Sequence, residues 1–183
     1  MNGSKSTVCL DPGHGGHKPG AVSFDGLIEK DLALKMALMV KGQLEMVQGI
    51  RVIMTRTTDI HVANGDRASF ANREKADLFV SIHCNSAESR QANGAEVLVY
   101  SVSSRSVPIA KDVQKQLVSL GLRDRGIIPR PKLTVLESTK MPAILVETAF
   151  LSCDHGVDFR ILRSESGLRH IAEKIAFGLL FAF

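Results

Sequence analysis

Short apolar runs alternate with helix-length amphipathic segments along most of this 183-residue chain. The runs predict strands at Thr7–Asp11, Arg51–Thr55, Leu78–His83, Ala95–Tyr100 and Ala143–Thr148. Several of them are continuous and rich in Val and Ile, which is typical of strands covered on both faces. The other segments predict helices: Glu29–Gln48, Asn64–Lys75, Val107–Leu120 and Glu165–Leu180. This order indicates an α/β layer with a mostly parallel sheet. The basic, proline-containing segment Arg123–Lys140 lacks such a pattern, and we expect a long loop there.

Composition argues against several classes of protein. The net charge is only +4, there is no Trp and one Tyr, and no dense basic cluster is present, which disfavours a nucleic-acid partner. No apolar run approaches the ~20 residues of a transmembrane helix, so we expect no membrane insertion. The start, MNGSKSTV, has no apolar signal-peptide core, which predicts synthesis in the cytoplasm without a signal peptide. Three widely spaced cysteines predict reduced thiols.

Two strand candidates carry polar residues that do not fit a buried strand. His83 ends its run and shares a face with Phe79 and Ser81, because side chains alternate along a strand. For one such histidine alone, a structural role is more common than metal ligation. Glu147 lies inside an apolar run, where an unpaired carboxylate costs several kcal/mol. Glu147 therefore needs an arginine partner, a nearby cation or the open end of the sheet, and a catalytic or metal role explains it as well as a salt bridge.

Glu29 and His14 complete a set of side chains suited to a metal ion. Glu29 begins a helical run on the apolar face that also carries Leu32 and Met36. A first-turn acid favours the helix dipole, which explains the position of Glu29 but not its face. His14 lies in the glycine-rich loop after the first strand. Two histidines and a carboxylate are a ligand set of catalytic zinc, although their spacings match no short zinc motif.

Motifs spread over nearly the whole chain resemble those of one enzyme family. They are LDPGHGG (10–16), the Glu29 helix start, MTRTTD (54–59), Arg67 with Ala71-Asn72, ADLFVSIHCNS (76–86), GAEVLVY (94–100), RDRGI (123–127) and MPAILVETAFLS (141–152). Together they resemble the zinc-dependent N-acetylmuramoyl-L-alanine amidases of bacterial cell-wall hydrolases, sporulation lysins and phage endolysins. The resemblance implies a single α/β domain, with a mixed, mostly parallel sheet and helices on both faces. It also implies one catalytic domain over residues 1–183, without a separate cell-wall-binding domain.

The resemblance also implies roles for the four polar residues. By similarity, His14, Glu29 and His83 would hold one Zn²⁺ per chain, and Glu147 would be the catalytic glutamate. A water bound to zinc has its pKa lowered towards ~7, and Glu147 would take its proton and pass it to the leaving amine. The substrate would be peptidoglycan, cut at the amide bond between N-acetylmuramic acid and L-alanine. Without a signal peptide, the enzyme would reach the cell wall after release, by phage lysis or by lysis of the producing cell.

Two residues beside the ligands keep alternative interpretations. Asp11 is expected either to orient His14 or its loop, or to cap the end of the first strand. The thiolate of Cys84, next to His83, could compete for zinc. Strand alternation predicts instead that this thiol points away from the ligands.

Basic residues are candidates for binding stem-peptide carboxylates. Arg67 and Arg130 are the main candidates, and Arg56 is a third. For Arg56 and Arg67, structural pairs with Asp59 and Asp66 are an equally good interpretation.

Three other functions compete with an amidase. A zinc metallopeptidase or deacetylase would use the same ligands on a different amide, and the products of peptidoglycan digestion separate these reactions. A non-catalytic wall-binding module on this fold would be favoured by loss of Glu147, which is present. A nucleic-acid binder is disfavoured by the lack of basic clusters.

Overall fold

The computed structural model describes residues 5–183 and contains one six-stranded sheet. The strands are β1 (Ser6–Pro12), β2 (Ile50–Met54), β3 (Leu78–Asn85), β4 (Ala95–Val99), β5 (Asp124–Pro129) and β6 (Ala143–Phe150). Their order is β2–β1–β3–β6–β4–β5, and the β6–β4 pair is antiparallel whereas the other four pairs are parallel. The mixed, mostly parallel α/β sheet predicted from the sequence is confirmed.

Helices cover both faces of the sheet, as predicted. They are α1 (Glu29–Glu45), α2 (Asn64–Arg73), α3 (Val107–Val118), α4 (Thr134–Glu137), α5 (Gly156–Leu162) and α6 (Glu165–Leu179), and a 3₁₀ turn follows at Leu180–Ala182. Helices α1, α3 and α6 pack over the larger core, and α2 and α4 over the smaller one. Within residues 5–183, no helix combines the length and apolar character that a membrane span requires.

Alternation along β3 divides its side chains between the two cores. Leu78, Val80 and Ile82 join the larger core, whereas Phe79 joins the smaller one. Burying each of these side chains contributes about 1.5–3 kcal/mol. A one-residue slip of the strand would exchange the two faces, so this burial fixes its register. His83 follows Phe79 at even spacing and therefore faces the side of α2 and α4.

The prediction of a long irregular loop over Arg123–Lys140 is wrong. This segment contains the edge strand β5 and the single-turn helix α4. Strand β5 is exposed or half-buried along its length, and Asp124, Arg125 and Gly126 occupy its first half. It therefore lacks the apolar run of a central strand. Pro129 is tolerated because an edge strand needs its backbone donors on one side only.

Candidate metal centre

A cavity of about 690 Å³ opens at the carboxyl ends of β1, β3 and β6. Ligands of open α/β sheets bind at this end of the strands. The cavity brings together the predicted site residues, which lie far apart along the chain. They are His14, Glu29, Arg67, His83, Arg130 and Glu147.

His14 lies just after β1 in a backbone conformation that is rare for a residue with a side chain. Its φ is 59°, in the left-handed region, and Gly15 and Gly16 after it also have positive φ values, 123° and 58°. The histidine ring approaches α1, where its Nε2 lies 3.0 Å from Oε1 of Glu29. The glycines of the motif therefore continue a turn that starts at the candidate ligand itself.

Glu29 begins α1 and is 5% exposed, on the face that carries the buried Leu32 and Met36. One carboxylate oxygen, Oε1, lies between the two rings, 3.0 Å from His14 Nε2 and 2.8 Å from His83 Nδ1. Burial opposes ionisation of Glu29, but the two rings outweigh it and hold the pKa of this carboxyl well below its usual range. The other oxygen, Oε2, accepts a hydrogen bond from the backbone N–H of Ala21 at 2.8 Å.

Glycines let the backbone touch the candidate ligands. A Cβ at Gly13 would overlap the ring of His83, and one at Gly20 would lie 2.5 Å from Oε2 of Glu29. A side chain at either position would displace a ligand. One ligand atom each from His14, Glu29 and His83 lies within 4.8 Å of the others, in an arrangement that could hold a metal ion.

Glu147 lies on β6, directly opposite His83 on β3 and opposite Glu96 on β4. Its Oε2 is shielded from solvent and has no hydrogen-bond partner among residues 5–183. Burial raises the pKa of Glu147 to about 7, an effect that His83 opposes and that Glu29 and Glu96 reinforce. The arginine partner of the structural interpretation is absent from this oxygen in the described part of the chain.

Comparison with known proteins identifies the family. A family model described as N-acetylmuramoyl-L-alanine amidase matches residues 8–180. The chain belongs to this amidase family. The N-acetylmuramoyl-L-alanine amidase AmiC of Neisseria meningitidis serogroup B is 32% identical over 97% of this chain and 53% of its own length. The endolysin of Bacillus phage SPP1 is 36% identical over 94% of this chain and 64% of its own length. The chain thus spans about half to two thirds of these relatives.

Solved structures support the same family. The N-acetylmuramoyl-L-alanine amidase from Clostridium difficile 630 superposes with a TM-score of 0.92 at 35% identity, covering 98% of this chain and 97% of that one. The amidase AmiC2 of Nostoc punctiforme has a TM-score of 0.90 at 35% identity, covering 98% of both chains. The fold described for residues 5–183 is therefore that of known amidase structures.

Asp11 of this family member forms no hydrogen bond with the ring of His14. Its carboxylate, 1% exposed, accepts hydrogen bonds from Thr55 Oγ1 at 2.6 Å, Arg67 Nη1 at 2.7 Å and Ser81 Oγ at 2.7 Å. Asp11 thus reaches the His14 loop through Arg67, in line with the loop-orienting alternative. Sequence reasoning missed Ser81 in this role, although alternation placed it on the face of His83.

The prediction that Arg67 binds substrate conflicts with its contacts. Arg67 borders the cavity but is 2% exposed, and its guanidinium donates to Asp11 and to the carbonyls of Pro12, His14 and Val62. These internal acceptors use four of the five N–H donors of the guanidinium, which favours a structural role for Arg67.

Arg56 is buried in the same way. Its guanidinium donates to the carbonyls of Pro12, Gly13, Lys30 and Thr58. The contacts of Arg56 and Arg67 thus favour the structural interpretation of both residues. The expected partners, Asp59 and Asp66, are wrong.

Arg130 differs from the two buried arginines. It borders the cavity at the end of β5 and is exposed, and among residues 5–183 the adjacent carbonyl of Pro129, at 3.4 Å, is the one acceptor of its guanidinium. Its guanidinium is therefore accessible to a ligand in the cavity. Substrate binding by Arg130 stays a prediction.

The thiol of Cys84 points away from the candidate ligands, as strand alternation predicted. Cys84 belongs to the larger core, 3.7 Å from Thr148 Oγ1, and burial raises its pKa well above the usual range. A thiol that stays protonated is a poor metal ligand. All three cysteines are buried free thiols, as predicted.

Proposed function

We propose that this chain is a zinc-dependent hydrolase that cleaves the amide bond between N-acetylmuramic acid and L-alanine in bacterial peptidoglycan. One observation carries the proposal: in a chain of this family, His14, Glu29 and His83 converge beside an unpartnered Glu147. In this proposal the region matched by the family model, residues 8–180, supplies the catalytic domain. Peptidoglycan is the macromolecular partner, and the cell wall is the place of action.

The donor set fits one zinc ion. Two imidazole nitrogens and one carboxylate oxygen form a common set of protein ligands in catalytic zinc sites, with a further position open for water. His14, Glu29 and His83 would hold the ion, because Oε1 of Glu29 already lies within 3.0 Å of a nitrogen of each ring. When bound, zinc supplies a Lewis acid for the scissile carbonyl and lowers the pKa of its water ligand.

Glu147 is the general base and then the general acid in this proposal. A carboxyl with a pKa of about 7 can both accept and return a proton near neutral pH. Glu147 takes the proton of the attacking water on Oε2, which no protein donor occupies among residues 5–183. It then delivers that proton to the nitrogen of L-alanine as the amide bond breaks.

Arg130 is the candidate for substrate binding. Stem peptides of peptidoglycan carry carboxylates, and an exposed guanidinium at the cavity wall matches them in charge and geometry. Arg67 has no such role in the proposal, because four of the five N–H donors of its guanidinium bond to acceptors within the protein.

Zinc content and peptidoglycan digestion, measured on the same samples, test the proposal. Wild-type protein is expected to hold about one zinc per chain and to release free L-alanine amines with the muramoyl lactate intact. The His83→Ala variant is expected to lose both properties, because it lacks a ligand. His170→Ala is the matched control, since His170 is exposed on α6, and it is expected to keep both.

The outcomes separate the competing functions. Wild-type protein without zinc would contradict the metal site. Zinc together with cleavage inside the peptide, or with acetate release, would indicate a metallopeptidase or a deacetylase instead. Zinc with no digestion products at all would favour a wall-binding module.

A further inference from the structure

Two buried arginines lie behind the loop that carries His14. Arg56 and Arg67 are each 2% exposed. Asp11 pairs with Arg67 at 2.7 Å, whereas within residues 5–183 the side chain of Arg56 donates to backbone carbonyls alone. Burying two guanidinium groups costs free energy through desolvation, and among residues 5–183 one carboxylate, that of Asp11, is hydrogen-bonded to them. The hydrogen bonds that both arginines make to the backbone around His14 offset part of this cost.

Arg67 holds the backbone on both sides of Gly13. Its Nη1 donates to the carbonyl of Pro12 at 2.7 Å, and its Nη2 donates to the carbonyl of His14 at 2.5 Å. His14 has a φ of 59°, a left-handed conformation that is strained for a residue other than glycine. The two hydrogen bonds therefore stabilise the strained conformation in which the His14 ring faces Glu29.

Arg56 joins the segments that carry two different ligands. Its Nη2 donates to the carbonyl of Gly13 at 2.7 Å and to the carbonyl of Lys30 at 2.8 Å. Gly13 directly precedes His14, and Lys30 directly follows Glu29. One nitrogen thus sets the distance between the two backbone segments from which these ligands project.

Asp11 extends the same network to the third ligand. Its Oδ1 accepts from Arg67, and its Oδ2 accepts from Ser81 Oγ at 2.7 Å. Ser81 lies on β3, two residues before His83 and on the same face. The backbone segments that carry all three candidate ligands are therefore linked to the buried arginines through hydrogen bonds.

We propose that Arg56 and Arg67 are positioning residues that set the metal affinity of the His14–Glu29–His83 site without contacting the metal. This inference rests on the zinc function proposed for these three residues. Ligands that are already in place need little ordering when the ion binds, so the network contributes to affinity. Removing partners that orient ligands typically weakens metal binding by 10–100-fold.

The test compares metal binding by wild type, Arg56→Lys and Arg67→Lys. Lysine keeps the positive charge, but a single ammonium cannot reproduce the planar guanidinium that reaches several carbonyls. Competition with a chelator is expected to show about 10–100-fold weaker Zn²⁺ binding by each variant. The visible spectrum after Co²⁺ is added to the metal-free protein is expected to shift, because it reports the geometry of the ligands.

Asp158→Asn is the matched control for general loss of stability. Asp158 is a buried carboxylate that accepts from the backbone N–H groups of Gly94 and Phe150, both at 2.8 Å, and it contacts no candidate ligand. This variant is expected to unfold at a lower temperature and to keep wild-type Zn²⁺ affinity and Co²⁺ spectrum. An equal loss of affinity in Asp158→Asn would assign the effect to stability and overturn the inference.

Ser81→Ala decides the matter if the arginine variants do not fold. It removes one hydrogen bond to Asp11 and is expected to weaken Zn²⁺ binding several-fold in a folded protein. Unchanged affinity in Ser81→Ala, or in folded arginine variants, would overturn the inference while leaving the zinc function intact. Wild-type protein that binds no zinc would overturn both.

Discussion

The two sides of the cavity differ in how completely their buried acids are paired. On the β1 side, the carboxylate of Asp11 accepts hydrogen bonds from Thr55, Arg67 and Ser81. On the β6 side, Oε2 of Glu147 is buried and has no partner among residues 5–183. Buried polar atoms in proteins are nearly always paired, so an exception needs an explanation. In the proposed site, this difference assigns the positioning of the ligands to the β1 side and the reaction with a proton to the unpaired acid of the β6 side.

The largest expected effect is the loss of hydrolysis when the unpaired acid on the β6 side is replaced. In Glu147→Gln, an amide of nearly the same shape replaces the acid and cannot carry a proton. Peptidoglycan hydrolysis is expected to fall by about 10²–10⁴-fold. Zinc content and melting temperature are expected to stay near wild-type values, because no ligand and no paired contact is lost. Hydrolysis at the wild-type rate would show that another group moves the proton.

An intermediate effect, on stability and on Zn²⁺ affinity, is expected when a side chain is added to the closely packed β1 side. In Gly13→Ala, the added Cβ would overlap the ring of His83. Overpacking of this kind costs about 1–3 kcal/mol of stability. Moving a ligand is also expected to weaken Zn²⁺ binding at least ~10-fold, measured by chelator competition.

Gly167→Ala provides the control for Gly13→Ala. Its Cβ would overlap the carbonyl of Ile161 in the α5–α6 region, away from the cavity. It is expected to lower the melting temperature and leave Zn²⁺ affinity unchanged. Wild-type affinity in folded Gly13→Ala would mean that the close packing of backbone against His83 is dispensable.

The smallest expected effect concerns a paired acid outside the cavity. Arg163 donates two hydrogen bonds of 2.7 Å to Asp25 and lowers its pKa to about 2. Because the folded-state pKa is depressed, the stabilisation is complete above the ordinary value of 3.8 and disappears as pH falls through about 2. Asp25→Asn is therefore expected to be slightly less stable than wild type at neutral pH, with no change in zinc content.

Urea unfolding of both proteins at about pH 7, about pH 4 and about pH 3 measures this difference. The gap is expected to be small, since the Asp25 side chain is 36% exposed and solvent screens the pair. The difference in the free energy of unfolding between the two proteins is expected to become smaller as the pH falls from about 7 to about 3. A gap independent of pH would show that Asp25 acts through packing and not through its charge.

The sequence alone predicted those strands and candidate site residues that show a local pattern of apolar and polar residues. Buried parallel strands have nearly continuous apolar sequences. The polar residues His83 and Glu147 therefore stood out in the sequences of their strands. The face of Glu29 followed from helical spacing with Leu32. Strand β5 escaped prediction because an exposed edge strand has no apolar run.

The network around Arg56 and Arg67 escaped prediction for a different reason. Their acceptors include carbonyls of Pro12, Gly13 and His14, 43–55 residues away along the chain. Every residue has a backbone carbonyl, so the residue type of an acceptor does not reveal that an arginine binds it. Asp59 and Asp66 are acids close in sequence to the two arginines, and they suggested ion pairs that do not form.

The pairing of β6 with β3 also limits how this sequence can change in length. His83 and Glu147 are opposite one another, and side chains alternate along both strands. Inserting or deleting a single residue in the first half of β6 would turn Glu147 towards the larger core and place an apolar side chain in the cavity. Strand β6 should therefore tolerate the exchange of one apolar residue for another but not a change in length. Insertions and deletions should be tolerated in exposed connections, such as the one between β3 and β4.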